Sequence, residues 1–302
     1  MKIKKLAAAA LAALLGASLL AGCGAAGSKK EYRILDETLK DEHYVIGFKK
    51  GNETLRDEVQ RILVELQKDG TLSAISKEWF GEDKSIVPTT FTPSGATDDS
   101  LQKVKDKGVF TLGLDDSFPP MGFRSENGMD VVGFDIDVAK KVCEKMGVTL
   151  VTQPISWDAK DSELSSGKID CIWNGFTSLP EREEAMTLSF PYMVNKQVVV
   201  VLKDSPIKTL ADLKDKTVVL QKGSSALDAL EAKRGQAFSQ QEYDALISFT
   251  YNLGSRWMNV LALNDLGKGA NGGDAVIMDE VVAKYYTSHR DQLVKDTASK
   301  AE

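Results

Sequence analysis

The feature that most constrains the fold is an alternation of strand and helix patterns in the middle of the chain. Three short apolar runs predict strands: Val109–Leu114, Val148–Val151 and Ile169–Trp173. Between the first two, apolar residues at helical spacing over Ile136–Met146 predict a helix. Alternating β and α elements are typical of a parallel sheet with helices on both faces. Because ligands of such sheets bind beyond the carboxyl ends of the strands, we expect a site at that edge.

A second βα module begins near residue 193. An apolar run predicts a buried strand at Gln197–Leu202, a glycine–serine turn leads into a helix at Gly223–Ala226, and a later strand is expected at Asp274–Asp279. Two such modules predict two lobes. Upstream of both, Tyr44–Lys50 is typical of a strand followed by amphipathic helices, and the polar stretch 84–100 predicts a linker.

The candidate site of the first module is the stretch Asn174–Arg182. A strand, a glycine turn and a helix that starts at Pro180 are expected to leave the N–H groups of Gly175 and Thr177 unpaired. Arg182 lies one turn into that helix, and its planar guanidinium matches a carboxylate. The sequence therefore indicates a carboxylate site, and the alternative is an exposed arginine on an ordinary βα turn.

Composition limits the function classes. The chain has 302 residues, 42% of them hydrophobic, and a net charge of −6, which is enough for two cores and argues against nucleic-acid binding. Two histidines and three scattered cysteines give no zinc spacing, so no metal and no cofactor is expected. Cys143 and Cys171 could form a disulfide, but each lies on a pattern that buries it, which favours two buried thiols.

The N-terminus is predicted to be a targeting segment. Lysines precede an apolar run from Leu6 to Ala21 that is too short to span a bilayer comfortably. The run ends in Leu20-Ala21-Gly22-Cys23, which resembles a bacterial lipoprotein signal cleaved before a lipidated Cys23. The expected location is therefore the periplasm or the outer face of the cell membrane, with membrane contact only through the lipid. The alternative is a plain secretory signal.

Residues 99–230 and 274–286 resemble the bacterial extracellular solute-binding proteins of family 3, which serve ABC importers for polar amino acids. The resemblance depends on five motifs in one order: Asp115–Pro120, Val132–Asp137, Asn174–Arg182, Ser189–Tyr192 and Asp274–Asp279. It implies an α/β, type II periplasmic-binding-protein-like fold of two lobes, each a mainly parallel sheet flanked by helices. It also implies two hinge crossings, near Tyr192–Lys196 and Asp41–Val45, and a monomer that closes on an amino acid and delivers it to a permease.

The order of the segments departs from the family. A strand like His43–Asn52, its helix and an ending like Lys77–Gly81 form the family's C-terminus, whereas here they follow the signal directly. The simplest interpretation is a circular permutation in which the linker joins the old ends. The alternative is a rearranged gene that leaves the lobes incomplete. The predicted division is signal peptide 1–22, tether and start of lobe 2 at 23–43, permuted C-terminal part of lobe 1 at 44–83, linker 84–100, main part of lobe 1 at 101–192 and lobe 2 at 193–302.

The resemblance also implies roles for single residues. Arg182 is expected to bind the α-carboxylate of the ligand beside Gly175 and Thr177. Asp279 is expected to bind the α-ammonium from the opposite lobe, with hydrogen bonds added by Ser224 and Ser225. The alternative for Asp279 is a cap on the following helix.

The remaining predicted contacts concern the ligand's side chain. Phe118 and Trp157 are expected to enclose its stem, or else to be ordinary core aromatics. Asp115 lies where a side-chain polar group should arrive, as in glutamine-binding relatives. Gln221 aligns with a position that is often basic in relatives, which favours a neutral polar, glutamine-like amino acid.

An enzyme is the alternative function class. Phe238–Ser255 resembles a helix of phage lysozymes, and dehydratases are built on the same fold as the solute-binding proteins. However, the sequence shows no nucleophile–base pair and no upstream acid motif, so no enzymatic activity is expected.

Overall fold

The structure, a computed structural model, describes residues 30–221, 223–233, 266–267 and 273–289. The chain divides into Met1–Glu31 and a compact unit Tyr32–Glu302, and every element below belongs to the second unit. The predicted signal peptide with Cys23 and the lysozyme-like stretch 238–255 lie outside the described residues.

The main sheet runs in the order β10-β11-β9-β1-β7-β2-β6, with β8 beside β1. Its strands are β1 Tyr32–Phe48, β2 Val109–Leu114, β6 Thr149–Pro154, β7 Cys171–Thr177, β8 Thr187–Leu188, β9 Met193–Leu202, β10 Val218–Val219 and β11 Ala275–Asp279. Parallel pairs occupy both ends of the sheet, because β10 pairs with β11 and β2 pairs with β6 and β7. The middle strands β1 and β9 are antiparallel to each other and to their outer neighbours.

Helices flank this sheet in the described chain, and a small antiparallel sheet lies beside it. The helices are α1 Glu53–Lys68, α2 Thr71–Phe80, α3 Ser100–Lys107, α4 Phe134–Met146, α5 Lys160–Ser165, α6 Pro180–Ala185, α7 Ala226–Glu231 and α8 Glu280–Ser288. The small sheet comprises β3 Ser117–Phe118, β4 Gly122–Arg124 and β5 Val131–Val132. Helix α1 shows why an amphipathic pattern predicts a helix correctly, because its apolar residues at helical spacing form the buried face.

Strand β1 is much longer than predicted. It begins at Tyr32, pairs with β9 as far as Tyr44, and pairs with β7 from Tyr44 to Phe48. The first part escaped prediction because charged residues and register shifts between Ile34 and Lys40 interrupt its alternation. Strands β1 and β9 connect the two ends of the sheet and include both of the predicted crossings, so they are the candidates for hinge strands.

The predicted linker contains no helix or strand over residues 86–99, yet it is packed against the sheet and helices. Ser85 bridges to Met193, Val87 is buried, and the Phe91 ring meets the Phe190 ring edge-on at 6.1 Å. Asp98 accepts hydrogen bonds from the Ser100 hydroxyl and from the backbone N–H groups at the start of α1. These hydrogen bonds, that of the Ser100 hydroxyl first, outweigh the effect of burial and hold the pKa of Asp98 well below its usual range. The linker therefore supplies the cap of α1.

This cap gives a testable stability effect. Asp98→Ala removes the acceptor for the N–H groups of Glu53 and Thr54, at 3.1 and 2.9 Å. Loss of a side-chain cap lowers the free energy of unfolding by about 1–2 kcal/mol. Urea denaturation should show this loss for Asp98→Ala but not for Asp99→Ala, because Asp99 makes only an exposed ion pair with Lys103. Equal midpoints for the two variants would contradict the assignment.

The fold also shows the state of the two remaining cysteines. Cys143 and Cys171 are both buried free thiols, as favoured, and burial raises the pKa of Cys143 to about 12. Within the described residues, none of the helices combines the length and the apolar character that crossing a membrane requires.

Candidate ligand-binding site

An open cavity, of about 310 Å³ when space exposed to solvent is included, lies at the ends of β2, β7 and β11. All nine residues that the sequence predicted as ligand contacts line it: Asp115, Phe118, Trp157, Gly175, Thr177, Arg182, Ser224, Ser225 and Asp279. Two further residues, Asn174 and Gln221, complete the lining. The structure therefore brings the whole predicted set together in one place.

The backbone around Gly175 differs from the prediction. Strand β7 continues to Thr177, so Gly175 lies within the strand rather than in a turn after it. Its N–H is not unpaired, because it donates to Oδ2 of the fully buried Asp135 at 2.8 Å. Gly175 has a φ of +57°, and a Cβ there would lie 2.9 Å from the Phe118 ring. The position thus requires glycine for backbone conformation and space, and its N–H is already used.

Arg182 is a buried cation. It is 8% exposed, its Nη1 donates to the Thr177 carbonyl at 2.7 Å, and its Cζ lies 4.4 Å from the centre of the Phe176 ring. No ion pair within 4.0 Å links it to a carboxylate in the described part of the chain. Burial lowers its pKa, since the charged form loses solvation. The alternative of an exposed arginine is therefore wrong, and a buried guanidinium of this kind suits an anionic partner.

Asp279 provides the acid on the other side of the cavity. It is 7% exposed, and its Oδ1 accepts hydrogen bonds from the Tyr44 hydroxyl and from Asn195 Nδ2, the latter at 2.7 Å. It occupies the N-cap position of α8, but its side chain makes no capping hydrogen bond. Burial, reinforced by the neighbouring Glu42 carboxyl group, raises the pKa of Asp279. Its oxygens are thus directed at the cavity region and not at the helix.

Asp115 is held at a third point of the lining. Its Oδ1 accepts from the N–H and hydroxyl of Ser117 at 2.9 and 2.6 Å, and its Oδ2 accepts from Gln221 Nε2 at 2.9 Å. Burial raises its pKa to about 6 despite these hydrogen bonds. The carboxyl group is therefore fixed in orientation by three donors.

Phe118 and Trp157 form apolar walls of the cavity. Both are buried, and Trp157 meets Phe176 edge-on with ring centres 6.0 Å apart. The Lys160 Nζ lies 5.5 Å from the centre of the Trp157 ring, so this indole already faces one cation. Core packing and cavity lining are not exclusive here, because each ring does both.

Several hydrogen bonds join the two predicted lobes at the cavity. The Gly223 carbonyl accepts from Arg182 Nη2 and from Lys160 Nζ, each at 3.3 Å. The hydroxyls of Thr177 and Ser225 lie 3.2 Å apart. Ser224 directs its hydroxyl to the Gln221 carbonyl at 2.8 Å, so its side chain holds the turn before α7. The site is thus assembled from both halves of the sheet.

Sequence reasoning did not include Asn174 or Gln221 among the ligand contacts, although it used Gln221 to infer the charge of the ligand, and it missed a layer behind the lining. Asn174 lies inside the motif that was singled out, and its Oδ1 accepts from the Asp115 N–H at 3.0 Å. The layer behind consists of Glu42, Tyr44 and Asn195, which surround Asp279. Extending β1 upstream of Tyr44 would have indicated a buried Glu42, since alternate residues of a strand share one face.

The chemistry of the cavity is that of a charged binding site. A buried cation and buried acids face one space, with hydroxyls and aromatic rings between them. Among the described residues that line it there is no histidine or cysteine to pair with a nucleophile. The described residues also contain no group of three or more His, Cys, Asp or Glu side chains that could hold a metal ion.

Comparison with known proteins places this geometry in a family. The sequence profile of the bacterial extracellular solute-binding proteins, family 3, matches residues 6–82 and 110–257. The L-cystine-binding protein TcyJ of Escherichia coli (strain K12) is 32% identical over 143 residues, which are 47% of this chain and 53% of that protein. This chain thus spans about half the length of that relative.

Two solved structures are similar to the fold. A substrate-binding protein of an ABC uptake transporter from Streptococcus pneumoniae, solved with bound histidine, has a TM-score of 0.54 and 37% identity, covering 64% of this chain and 74% of that one. The ancestral amino acid-binding protein AncCDT-1, a precursor of cyclohexadienyl dehydratase, has a TM-score of 0.53 and 30% identity, covering 63% and 78%. They confirm the predicted α/β, type II periplasmic-binding-protein-like fold. The chain therefore belongs to the bacterial extracellular solute-binding proteins, family 3.

Proposed function

We propose that this protein is an extracytoplasmic receptor that captures a free amino acid between two lobes and delivers it to the permease of an ABC importer. The observation that carries the proposal is that a buried cation, Arg182, and a buried acid, Asp279, line the same cavity. An amino acid is a zwitterion, so it needs one buried partner of each sign. Burying its charges without partners would cost several kcal/mol per ion.

The main-chain groups of the ligand define two subsites. The α-carboxylate pairs with the Arg182 guanidinium beside Thr177, and the α-ammonium pairs with Asp279. The turn at Ser224 and Ser225 adds hydroxyls close to both. The stem of the side chain lies between Phe118 and Trp157, whose ring faces attract a nearby ammonium group. Gly175 allows the ligand and the Phe118 ring to approach the backbone of β7.

The side-chain subsite favours a neutral polar group of the glutamine type. Asp115 already accepts three hydrogen bonds from Ser117 and Gln221, so it does not depend on a cationic partner. A side-chain amide can donate to Asp115 and accept from Gln221, which matches both partners in one group. Relatives that bind histidine show that other polar side chains fit the same family.

Capture is proposed to occur by closure about the two hinge strands. Lobe 1 comprises 44–83 and 101–192, joined by the linker at 84–100, and lobe 2 comprises 193–302 together with 23–43. The ligand meets partners from both lobes only when they are closed, so binding shifts the population toward the closed form. A permease that recognises the closed form would accept only the loaded receptor, which acts as a monomer.

Anchoring and permutation belong to the same proposal. Residues 1–22 act as a lipoprotein signal, and the lipid on Cys23 is the only membrane contact. The family profile matches the chain on both sides of the linker, as a circular permutation requires. Packing of the linker against α1 through Asp98 agrees with a joint between former ends.

No enzymatic activity is proposed. TcyJ and the two solved relatives above are named as binding proteins, although AncCDT-1 is also a precursor of a dehydratase. The lining residues of the described chain offer carboxyl and hydroxyl groups but no paired base. A lysozyme-like activity has no support among the described residues.

The test is calorimetric titration of the purified protein with each free amino acid. We expect one-site binding with the tightest affinity for glutamine or a similar neutral polar amino acid, and weaker binding of arginine, lysine and glutamate. Tightest binding of arginine would refute the neutral preference while leaving the receptor role intact. No binding of any amino acid would refute the receptor role itself.

A further inference from the structure

A second carboxyl group lies directly behind Asp279. Glu42 of β1 is only 2% exposed. Asn195 Nδ2 donates to Glu42 Oε2 at 3.3 Å and to Asp279 Oδ1 at 2.7 Å, so these two oxygens are no more than about 6 Å apart. Two buried carboxylates at such a distance repel each other, and holding both in the charged form is unfavourable.

The groups that surround the pair do not neutralise it. From β1, the Tyr44 hydroxyl donates to Asp279, and from β9 only the neutral amides of Asn195 and Gln197 face the two acids. Arg182 of α6 interacts with Glu42 electrostatically, but no ion pair within 4.0 Å reaches either acid in the described part of the chain. Among the residues that the structure describes, no ion pair therefore balances the negative charge of these two carboxyl groups.

Two buried oxygens in this cluster also lack a donor. Gln197 Nε2 donates to Glu42 Oε2 at 3.1 Å, while Glu42 Oε1 and Gln197 Oε1 accept no hydrogen bond from any residue that the structure describes. A buried acceptor without a donor lowers the stability of the folded protein. Two such acceptors on adjoining side chains would be stabilised by an additional hydrogen-bond donor between them. A proton on the carboxyl pair supplies such a donor.

We propose that Asp279, with the Glu42 carboxyl group directly behind it, holds one proton in the ligand-free receptor and releases it when the α-ammonium of the ligand binds. Glu42 is then a positioning residue of the ammonium subsite, since it acts through Asp279. The proton leaves to the solvent, and the ammonium replaces it as the positive charge beside the pair. The raised pKa of Asp279 agrees with this exchange. The inference rests on the proposed function, because it requires an ammonium-bearing ligand.

The test counts protons. The tightest amino acid of the panel is titrated by calorimetry at pH 7.5 in two buffers of different ionisation enthalpy, such as phosphate and Tris. The wild-type protein is expected to release about 0.5–1 proton per ligand, because the ammonium group displaces the proton from Asp279. Glu42→Gln keeps the shape and the acceptor of Glu42 but removes one acid, so its release should fall to less than about half of that value. Asp115, whose pKa is about 6, is mostly ionised at this pH.

The affinity gives a second readout. Between pH 6 and 8 the wild-type affinity should rise by up to about tenfold per pH unit, whereas that of Glu42→Gln should vary less than about threefold in total. The matched control is Asp41→Asn, which removes a neighbouring acid of β1 that is 68% exposed. It should behave as the wild type in both measurements.

Each outcome decides the inference. Equal proton release by the wild type and Glu42→Gln overturns it, and so does tight wild-type binding without proton release. Proton release by the wild type is measured without any variant, so the inference can be refuted even if Glu42→Gln does not fold. Absence of binding by every amino acid would instead refute the receptor role, on which this inference depends.

Discussion

Arg182→Met is expected to weaken amino-acid binding by about 10²- to 10³-fold, because the ligand carboxylate would then be buried without its partner. Removing one member of a buried ion pair typically costs about 3–5 kcal/mol. Methionine retains the apolar contact with Phe176, whose ring centre lies 4.4 Å from the guanidinium carbon. The loss of affinity should therefore reflect the missing positive charge and planar guanidinium group. Calorimetric titration measures this affinity directly.

The same variant should leave the ligand-free protein almost as stable as the wild type. The Thr177 and Gly223 carbonyls lose a donor, each at a cost of about 1 kcal/mol, but a guanidinium buried without a counterion is also removed. These effects oppose each other, so urea denaturation should show a change within about 1 kcal/mol. Such a result would assign Arg182 to binding and not to folding.

Two controls make the result specific. Arg182→Lys keeps the charge but loses the planar fork, so an intermediate loss of about tenfold in affinity is expected. Arg124→Met removes a more exposed arginine that pairs with Asp116 away from the cavity lining, and it should bind as the wild type. Affinity of Arg182→Met within threefold of the wild type would be incompatible with a carboxylate subsite at this residue.

The elements that were predicted well are those whose signal is local. Helix α1 and strand β2 show a clear period and clear ends in the sequence, so their positions needed no tertiary information. The cavity lining was also predictable, because strand ends and following turns identify one edge of an α/β sheet. All nine proposed contacts lie there.

The features that escaped prediction depend on partners far along the chain. The first half of β1 is a strand because β9 lies beside it, and its own sequence contains too many charges to show the period. The N–H of Gly175 seemed free because Asp135, its partner, is 40 residues away. Glu42 was not recognised for the same reason, since its burial follows from a pairing that the local pattern conceals.

Asp135 allows the second large effect to be predicted, this time on stability. The residue is fully buried in α4, where its oxygens accept hydrogen bonds from the Gly175 N–H and the Tyr192 hydroxyl, both at 2.8 Å. Burial outweighs these hydrogen bonds and raises its pKa from 3.8 to about 7. The folded protein therefore binds this proton more tightly than the unfolded chain does.

The direction of the pH dependence follows from that difference. The stabilisation from the bound proton is complete below about pH 4 and is lost progressively as the pH rises to about 7. A pKa difference of this size corresponds to at most about 4 kcal/mol, at about 1.4 kcal/mol per unit. Asp135→Asn stays neutral throughout and can still accept from the Gly175 N–H, so it should lack this loss.

Urea denaturation at pH 4.5, 6 and 8 tests the effect. The stability of Asp135→Asn relative to the wild type should increase by about 2–4 kcal/mol between pH 4.5 and 8. The difference between the two proteins isolates Asp135, because Asp115 and Asp279 titrate in both. Asp137→Asn, a partly exposed neighbour in α4 that pairs with Lys140, should follow the wild-type curve. Parallel curves for Asp135→Asn and the wild type would show that Asp135 is ionised in the folded protein at every pH tested, and that its hydrogen bonds outweigh its burial.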